Sequence, residues 1–397
     1  MYDAQLWRHP SAIMKSVDFT ISPADKPEFL KQANQTELYL TTISSNVQQL
    51  FNQQTVKNYT RRQMSSFDWN NFYRVDDIYS WLRDLNCTYT DAMNLFSIGT
   101  TVENRPIYAV NVSHAGSRRH NYRSVVLVEG GIHAREWISV AYVTYLLNKV
   151  LNAPSDTDKE FQDIAYQYDW VFVPLLNPDG YEYSHTHDRL WRKNRNNKGV
   201  DINRNFDVAF GTVGVCKKAS APNYCGRSPF SEQESLAMAT LVEEYKDRLS
   251  HYLAFHSYGQ YIILPYMHLK EHLDNYDEVA KVARDMAAQI KRNYGTEYTV
   301  GTAYDTLGYT TSGASTSWVK KTYHVPYVMT IDLRDEGQEG FALSPENILP
   351  TCKETIDGLV TFLKETEAVN IRTSGCESLR LKLYVSLLHC IVFYVIF

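Results

Sequence analysis

Residues 124–136 read SVVLVEGGIHARE, and the fold is decided here. Val125, Val126, Leu127 and Val128 follow one another without polar alternation, which marks a strand buried on both faces. Two glycines end the run, and His133, Arg135 and Glu136 come directly after it. Residues 137–152 (WISVAYVTYLLNKVLN) then repeat apolar side chains at helical spacing and stop before Pro154. The same pattern recurs downstream. DWVFVPLLNPDG (169–180) reads as a strand and a turn, and HYLAFHSYGQ (251–260) as a strand. DEVAKVARDMAAQIKRN (277–293) reads as a helix, YVMTIDLRD (327–335) as a strand, and the last helix is expected over 346–368. Apolar strands alternating with amphipathic helices predict an α/β chain with a largely parallel sheet covered on both faces.

In such sheets the chemistry gathers at the carboxyl ends of strands. Those ends carry His133, Arg135 and Glu136, then Asn177 to Gly180, then His256, then Asp332. A catalytic zinc site takes three protein ligands of imidazole and carboxylate type and keeps one position open. The HxxE pair His133 and Glu136 is a weak signal alone, and His256 at the end of a distant strand supplies a third donor. Taken singly, His256 would read as a buried, satisfied histidine. A second copy, His268 with Glu271 and His272 (HLKEH), matches the inverted zinc-protease string. It follows Pro265 in a polar stretch with no buried strand before it, so a solvated helix start is the better reading. Arg192, Asn203 and Arg204 lie in two basic segments, and arginine grips a carboxylate with two parallel hydrogen bonds. Asp332, in TIDLRDEG, reads equally as a general base or as a partner for Arg334.

The 397 residues carry 40 basic and 45 acidic side chains, a net charge of -5. Length gives a prior of roughly two or three domains. A hydrophobic fraction of 44% excludes a disordered chain, and the acidic balance argues against nucleic-acid binding. Residues 1–62 are expected to form a small α/β unit from the strands DFTISP (18–23) and ELYLTTIS (37–44) and the helix NVQQLFNQQ (46–54). Arg61 and Arg62 in the polar segment that follows offer a natural cut for a trypsin-like protease.

Sequons at Asn34, Asn58, Asn86 and Asn111 favour the secretory route, as do Cys216 and Cys225, which invite a local disulfide in a Gly/Ser/Pro-rich loop. No signal peptide is visible in MYDAQLWRHPSAIMK, and a truncated start is expected. The tail 371–397 holds the small residues Thr373, Ser374 and Gly375 before an apolar run, Leu383–Phe397. That run is short for a span of about 20 residues; it resembles a lipid-anchor signal as much as a membrane-surface helix.

The strings GGIHAREW, LLNPDGYEYS, RLWRKNR, GVDINRNFD, FHSYGQ and LRDEG together resemble the zinc metallocarboxypeptidases of the A/B family. The resemblance covers about 66–368 and extends to residues 1–62, which are similar to the family's inhibitory propeptide with a shortened start. It implies one catalytic α/β/α domain (66–370) with a mixed eight-stranded sheet and one zinc ion, in a monomeric, secreted proenzyme acting on peptide C-termini. It further implies that His133, Glu136 and His256 bind zinc and that Asp201 orients His133. Arg192 would face the oxyanion, and Asn203 and Arg204 would hold the terminal carboxylate. Arg135, Ser257 and Tyr258 would line the substrate path, and Tyr309 would cap the terminal residue.

Three departures stand out. The family base is a glutamate, and here Asp332 is one methylene shorter, with one additional residue between Trp318 and Asp332. Thr316 occupies the specificity position that is aspartate in basic-specific members, so release of neutral residues is expected rather than of Lys or Arg. Asn197 stands where many members have cysteine. Two functions follow, a zinc carboxypeptidase and a zinc-loaded pseudoenzyme that binds C-termini without cutting. An adhesion or structural role would make the whole constellation an accident.

Overall fold

The computed structural model describes residues 4–8, 16–36, 38–54, 67–114, 123–272 and 275–367. Asn58, Arg61, Arg62, Cys376, Cys390 and the apolar tail lie outside these residues. The N-terminal unit contains β1 (Ala4–Leu6), β2 (Phe19–Ile21), α1 (Lys26–Ala33) and α2 (Val47–Gln54), with β1 and β2 antiparallel. The second strand expected there, ELYLTTIS, does not form. Residues 38–44 take no strand conformation and leave Leu38 63% and Tyr39 fully exposed.

The body follows in the order α3 (Val75–Thr88), β3 (Met93–Thr100), β4 (Pro106–Val112), β5 (Val125–Glu129), α4 (Trp137–Leu151), α5 (Lys159–Gln167), β6 (Asp169–Val173) and α6 (Pro178–Thr186). Then come α7 (Gln233–Tyr245), β7 (Leu249–Ser257), β8 (Tyr261–Leu264), α8 (Tyr276–Tyr294), β9 (Thr299–Thr302), α9 (Ala303–Leu307), α10 (Ser315–Tyr323), β10 (Tyr327–Leu333) and α11 (348–367). The eight body strands form one mixed sheet in the order β3-β4-β6-β5-β7-β10-β8-β9. Its centre, β6-β5-β7-β10, is parallel; β4 joins β6 antiparallel, and β8 joins β10 antiparallel. Every residue of β5, β6 and β7 is buried, as expected of strands covered by helices on both faces. One face packs beneath α4 and α8, with Trp170, Phe172, Leu253 and Phe255 among the buried residues. The other packs beneath α7 and α10, with Leu127, Val171, Tyr252 and Trp318.

The NPDG string is more than a turn. Asn177 caps α6 by accepting the Gly180 N–H at 3.0 Å, and Pro178 occupies the first helical position. In the turn between α10 and β10, His324 takes a left-handed conformation with φ 53°. β10 then runs in unbroken register with β7 from Tyr327 to Leu333, so Asp332 pairs directly with His256. No helix of the described residues is long and apolar enough to cross a membrane.

Candidate active site

The chain turns sharply after β5. Gly131 sits at φ +64°, and a Cβ there would meet Leu175 at 2.7 Å and Val140 at 2.8 Å, so only glycine fits. This turn carries His133 and Glu136 to the sheet edge beside the end of β7. Asn177 locks it in place, donating to the carbonyls of Ile132 at 3.2 Å and Lys193 at 3.1 Å. The same amide thus ties together the loops that hold His133 and Arg192, and the Ala134 N–H adds a bond to the Arg192 carbonyl at 3.0 Å.

His133, Glu136 and His256 come together as the one group of this kind among the described residues, with their donor atoms all within 4.8 Å of one another. Glu136 spans both rings, 2.8 Å from His133 Nδ1 and 3.0 Å from His256 Nδ1. The two Nδ1 atoms face each other at 3.1 Å. Two imidazole nitrogens at that separation need a shared hydrogen or a metal ion between them. Two ring nitrogens and a carboxylate make a donor set that suits a catalytic zinc ion. Burial opposes charge on Glu136, but the flanking imidazoles prevail and hold its carboxyl far below the usual range. Burial also works against a charged His256 ring, and Glu136 outweighs it, raising the pKa. His133 is pushed the other way by burial and by Arg192.

A second layer orients these groups. Asp201 lies 3.1 Å from His133 Nε2 and accepts Arg192 Nε at 3.0 Å. Burial opposes its charge, yet Arg192 and Arg204 keep it ionised. Asp201 also caps the short 3-10 turn Ile202–Arg204, which sets Asn203 and Arg204 side by side. Asn203 Oδ1 accepts the Ser315 N–H at 2.9 Å, at the start of α10.

A cleft of about 600 Å³ gathers the candidates. His133, Arg135, Glu136, Arg192, Asn203, Arg204, His256, Ser257, Tyr258, Tyr309 and Asp332 all line it. Thr316 is buried just behind the lining, and its hydroxyl lies 3.2 Å from that of Thr330. Asp332 stands apart from the tightly bonded groups. Arg334 is taken by Glu354 and Thr296, so the pairing considered for Asp332 does not form. Among the described residues its side chain has no hydrogen-bond partner. Burial first, and then Glu136, push its pKa up to about 7, against the pull of His256 and Arg192.

Two expectations change. Cys216 and Cys225 are free thiols. Cys216 bridges to Tyr224, the residue before Cys225. The HLKEH string is not the helix start expected: residues 268–272 form turns and bends, and His272 pairs with Asp305 at 3.1 Å and stacks on Tyr276.

Some residues at the site had no sequence signal. Trp7, Arg8 and Ser16 of the N-terminal unit line the cleft. Asp18 accepts the Tyr258 hydroxyl at 3.0 Å and pairs with Arg8 at 3.2 Å. Arg189 is buried against Trp137, 3.5 Å from its ring, and donates to the Arg135 carbonyl and to Gln54 at 2.8 Å each. Gln54 in turn donates to the carbonyls of Phe341 and Leu343. A basic residue in RLWRKNR looks solvated until the N-terminal unit covers it. Met267 also reaches the cleft, from the turn after β8.

Comparison with known proteins agrees with this geometry. The zinc carboxypeptidase family pattern matches residues 78–358, and that of the carboxypeptidase activation peptide matches residues 1–54. Zinc carboxypeptidase A 1 of Anopheles gambiae is 35% identical over 358 residues, covering 88% of this chain and 81% of that protein. The zinc carboxypeptidase of Simulium vittatum is 38% identical, covering 74% of this chain and 96% of that protein. Among solved structures, thrombin activatable fibrinolysis inhibitor superposes with a TM-score of 0.85 at 29% identity, covering 92% of each chain.

Proposed function

The chain belongs to the zinc carboxypeptidase family and is a metallocarboxypeptidase; from that premise we propose that it is a secreted proenzyme that releases neutral C-terminal residues with Asp332 as its base. The observation that carries this reading is the placement of the unpartnered Asp332 carboxylate directly across from His256, in the cleft that also holds Arg192, Asn203 and Arg204.

In this reading His133, Glu136 and His256 hold the zinc ion, and Asp201 keeps the His133 ring in position. The bound ion supplies Lewis acidity towards the scissile carbonyl and towards water. Arg204 and Asn203 grip the substrate's free carboxylate, which limits the reaction to the last peptide bond. Asp332 takes a proton from the attacking water and passes it to the leaving amine. Burial raises the pKa of this carboxyl and so makes it a better proton acceptor. Arg192 is held charged by Asp201 and Glu136 and stands ready for the oxyanion. Tyr309 closes over the terminal residue, and Ser257, Tyr258 and Arg135 flank the path of the preceding ones. Thr316 brings no charge to the specificity pocket, which supports neutral residues over Lys or Arg.

The N-terminal unit supports the proenzyme reading, because Trp7 and Arg8 lie across the cleft and Asp18 occupies the Tyr258 hydroxyl. Cutting at Arg61 or Arg62 would release residues 1–62 from the catalytic domain, 66–370. If limited trypsin makes no cut near residue 62 and leaves activity unchanged, this part fails.

The second reading, a zinc-loaded pseudoenzyme, is favoured by the shorter reach of Asp332. Misplacing a catalytic group by about 1 Å lowers rates by as much as ~10²-fold. A panel of blocked dipeptides ending in Phe, Leu, Asn, Lys or Glu separates the two, given to the zinc-loaded full chain before and after trypsin. Chelator-sensitive release of neutral residues supports the enzyme. Binding without release, at full zinc occupancy, supports the pseudoenzyme.

A further inference from the structure

We infer that Met267 sets the depth of the pocket for the terminal side chain and restricts the enzyme to short, uncharged C-terminal residues such as Ala, Ser, Thr and Val. The inference rests on the carboxypeptidase reading above and narrows its substrate class. The anchor for the terminal carboxylate and the floor of the pocket belong to one connected piece of structure. Asn203 accepts the N–H of Ser315, and the next residue, Thr316, turns its hydroxyl to the Met267 sulfur at 3.8 Å. A side chain entering from an anchored carboxylate therefore meets the thioether early. Ile263, Leu307 and Thr330 line the cleft beside it without charge, and the Asp305 carboxylate, also in the lining, is taken up by His272 and Thr302.

Methionine is a flexible residue that could in principle swing aside. Here it is held. Its N–H donates to Ser317 Oγ at 2.9 Å, and its carbonyl accepts the Thr311 N–H at 2.7 Å. It is 5% exposed and packs with Ile263, Ala303 and Ala314. Both backbone bonds run to segments that shape the cleft, the first turn of α10 and the loop that follows Tyr309. Moving the side chain away from an incoming aromatic ring would require this set to repack. The Thr316 and Thr330 hydroxyls leave a polar spot beside the sulfur, which suits Ser and Thr as well as Ala and Val.

The test uses the trypsin-treated, zinc-loaded full chain and its Met267→Ala and Met267→Leu variants. Blocked dipeptides ending in Ala, Val, Leu and Phe are compared by kcat/KM and by competition for binding, so that a chain that binds without cutting is still informative. The wild type should favour Ala and Val over Phe by about 10-fold or more, the range in which one methylene group is felt in a pocket. Met267→Ala should shift the Phe-to-Ala ratio towards Phe by about 10-fold or more, whereas Met267→Leu, which keeps the volume, should hold the wild-type ratio. Equal or better use of Phe by the wild type overturns the inference alone, even if Met267→Ala does not fold. A folded Met267→Ala variant with an unchanged ratio does the same. Absence of both binding and release for every dipeptide overturns the carboxypeptidase reading, and this inference with it.

Discussion

Two carboxylates face one cleft, Glu136 from the start of α4 and Asp332 from β10, and their surroundings drive them in opposite directions. Glu136 touches both imidazole rings, accepts the Ser257 N–H at 3.2 Å and lies 3.5 Å from an Arg192 guanidinium nitrogen. It stays charged far below the usual carboxylate range. Asp332 has no hydrogen-bond partner among the described residues, and burial raises it to about 7. Pairs of titratable groups pushed apart in this way divide the labour of a site. A carboxylate pinned in its charged form is a ligand, and one poised between its two forms can carry a proton. In the reading that makes Asp332 the base, the same contrast accounts for a length change at Asp332 that Glu136 could not bear. Glu136 must reach two rings at once. Asp332 only has to reach a water, and the register of β10 against β7 fixes where its shorter side chain begins.

The contrast predicts a graded series of effects. Glu136→Gln should have the largest, since it removes the charge that holds two imidazoles and a dication together. Zinc affinity, measured by chelator competition, should fall by more than the ~10–100-fold associated with outer-layer partners, and peptide release should vanish with the metal. Asp332→Asn should come next, with zinc still bound stoichiometrically and kcat reduced by about 10²–10⁴-fold, the range of a lost general base. Asp332→Glu sharpens this result: a modest change supports Asp332 as a working base, and a large gain supports the pseudoenzyme. Asp201→Asn should weaken zinc binding by about 10–100-fold through the His133 ring while leaving the three ligands in place.

The smallest effect concerns stability against pH in the chelated protein. Asp332 has a folded pKa above its ordinary 3.8, so its contribution to stability is full below about pH 4 and is lost as the pH rises through 7. Glu136 has the opposite sign, and its contribution is present above 4.5 and lost as the pH falls. Asp332→Asn should therefore raise Tm at pH 8 by a few degrees and change it little at pH 4; roughly 2–4 °C accompanies each kcal/mol in a chain of moderate size. Glu136→Gln should lower Tm at pH 8. Parallel shifts in the two variants, read by calorimetry across pH 4–8, would break the comparison.

Much of the site was legible because its residues occupy strand ends whose apolar runs announce themselves. His133, His256 and Asp332 each follow or end such a run, and the sheet register brings them together. Arg189 was not legible. Its burial against Trp137 depends on Gln54 arriving from more than a hundred residues away. Met267 gave no signal either, because a methionine after a short strand looks like core until α10 is seen to pack beside it. The expected strand at ELYLTTIS does not form, and its apolar side chains Leu38, Tyr39 and Ile43 stay exposed, so no buried face rewards the pairing.

The sequence by itself determined the kind of chemistry. Two histidines and two carboxylates at recurrent strand ends, with arginines there and in two basic segments, define a metal site for carboxylate-bearing substrates, since donor type is a property of each residue. The tertiary structure decided what those groups are worth. Whether Asp332 pairs with Arg334 or stands free depends on Glu354 taking the arginine. Pocket depth and cover come from Met267 and from Trp7 and Arg8, residues far apart in the chain. Charge state, reach and access depend on distances between segments, and only packing sets those distances.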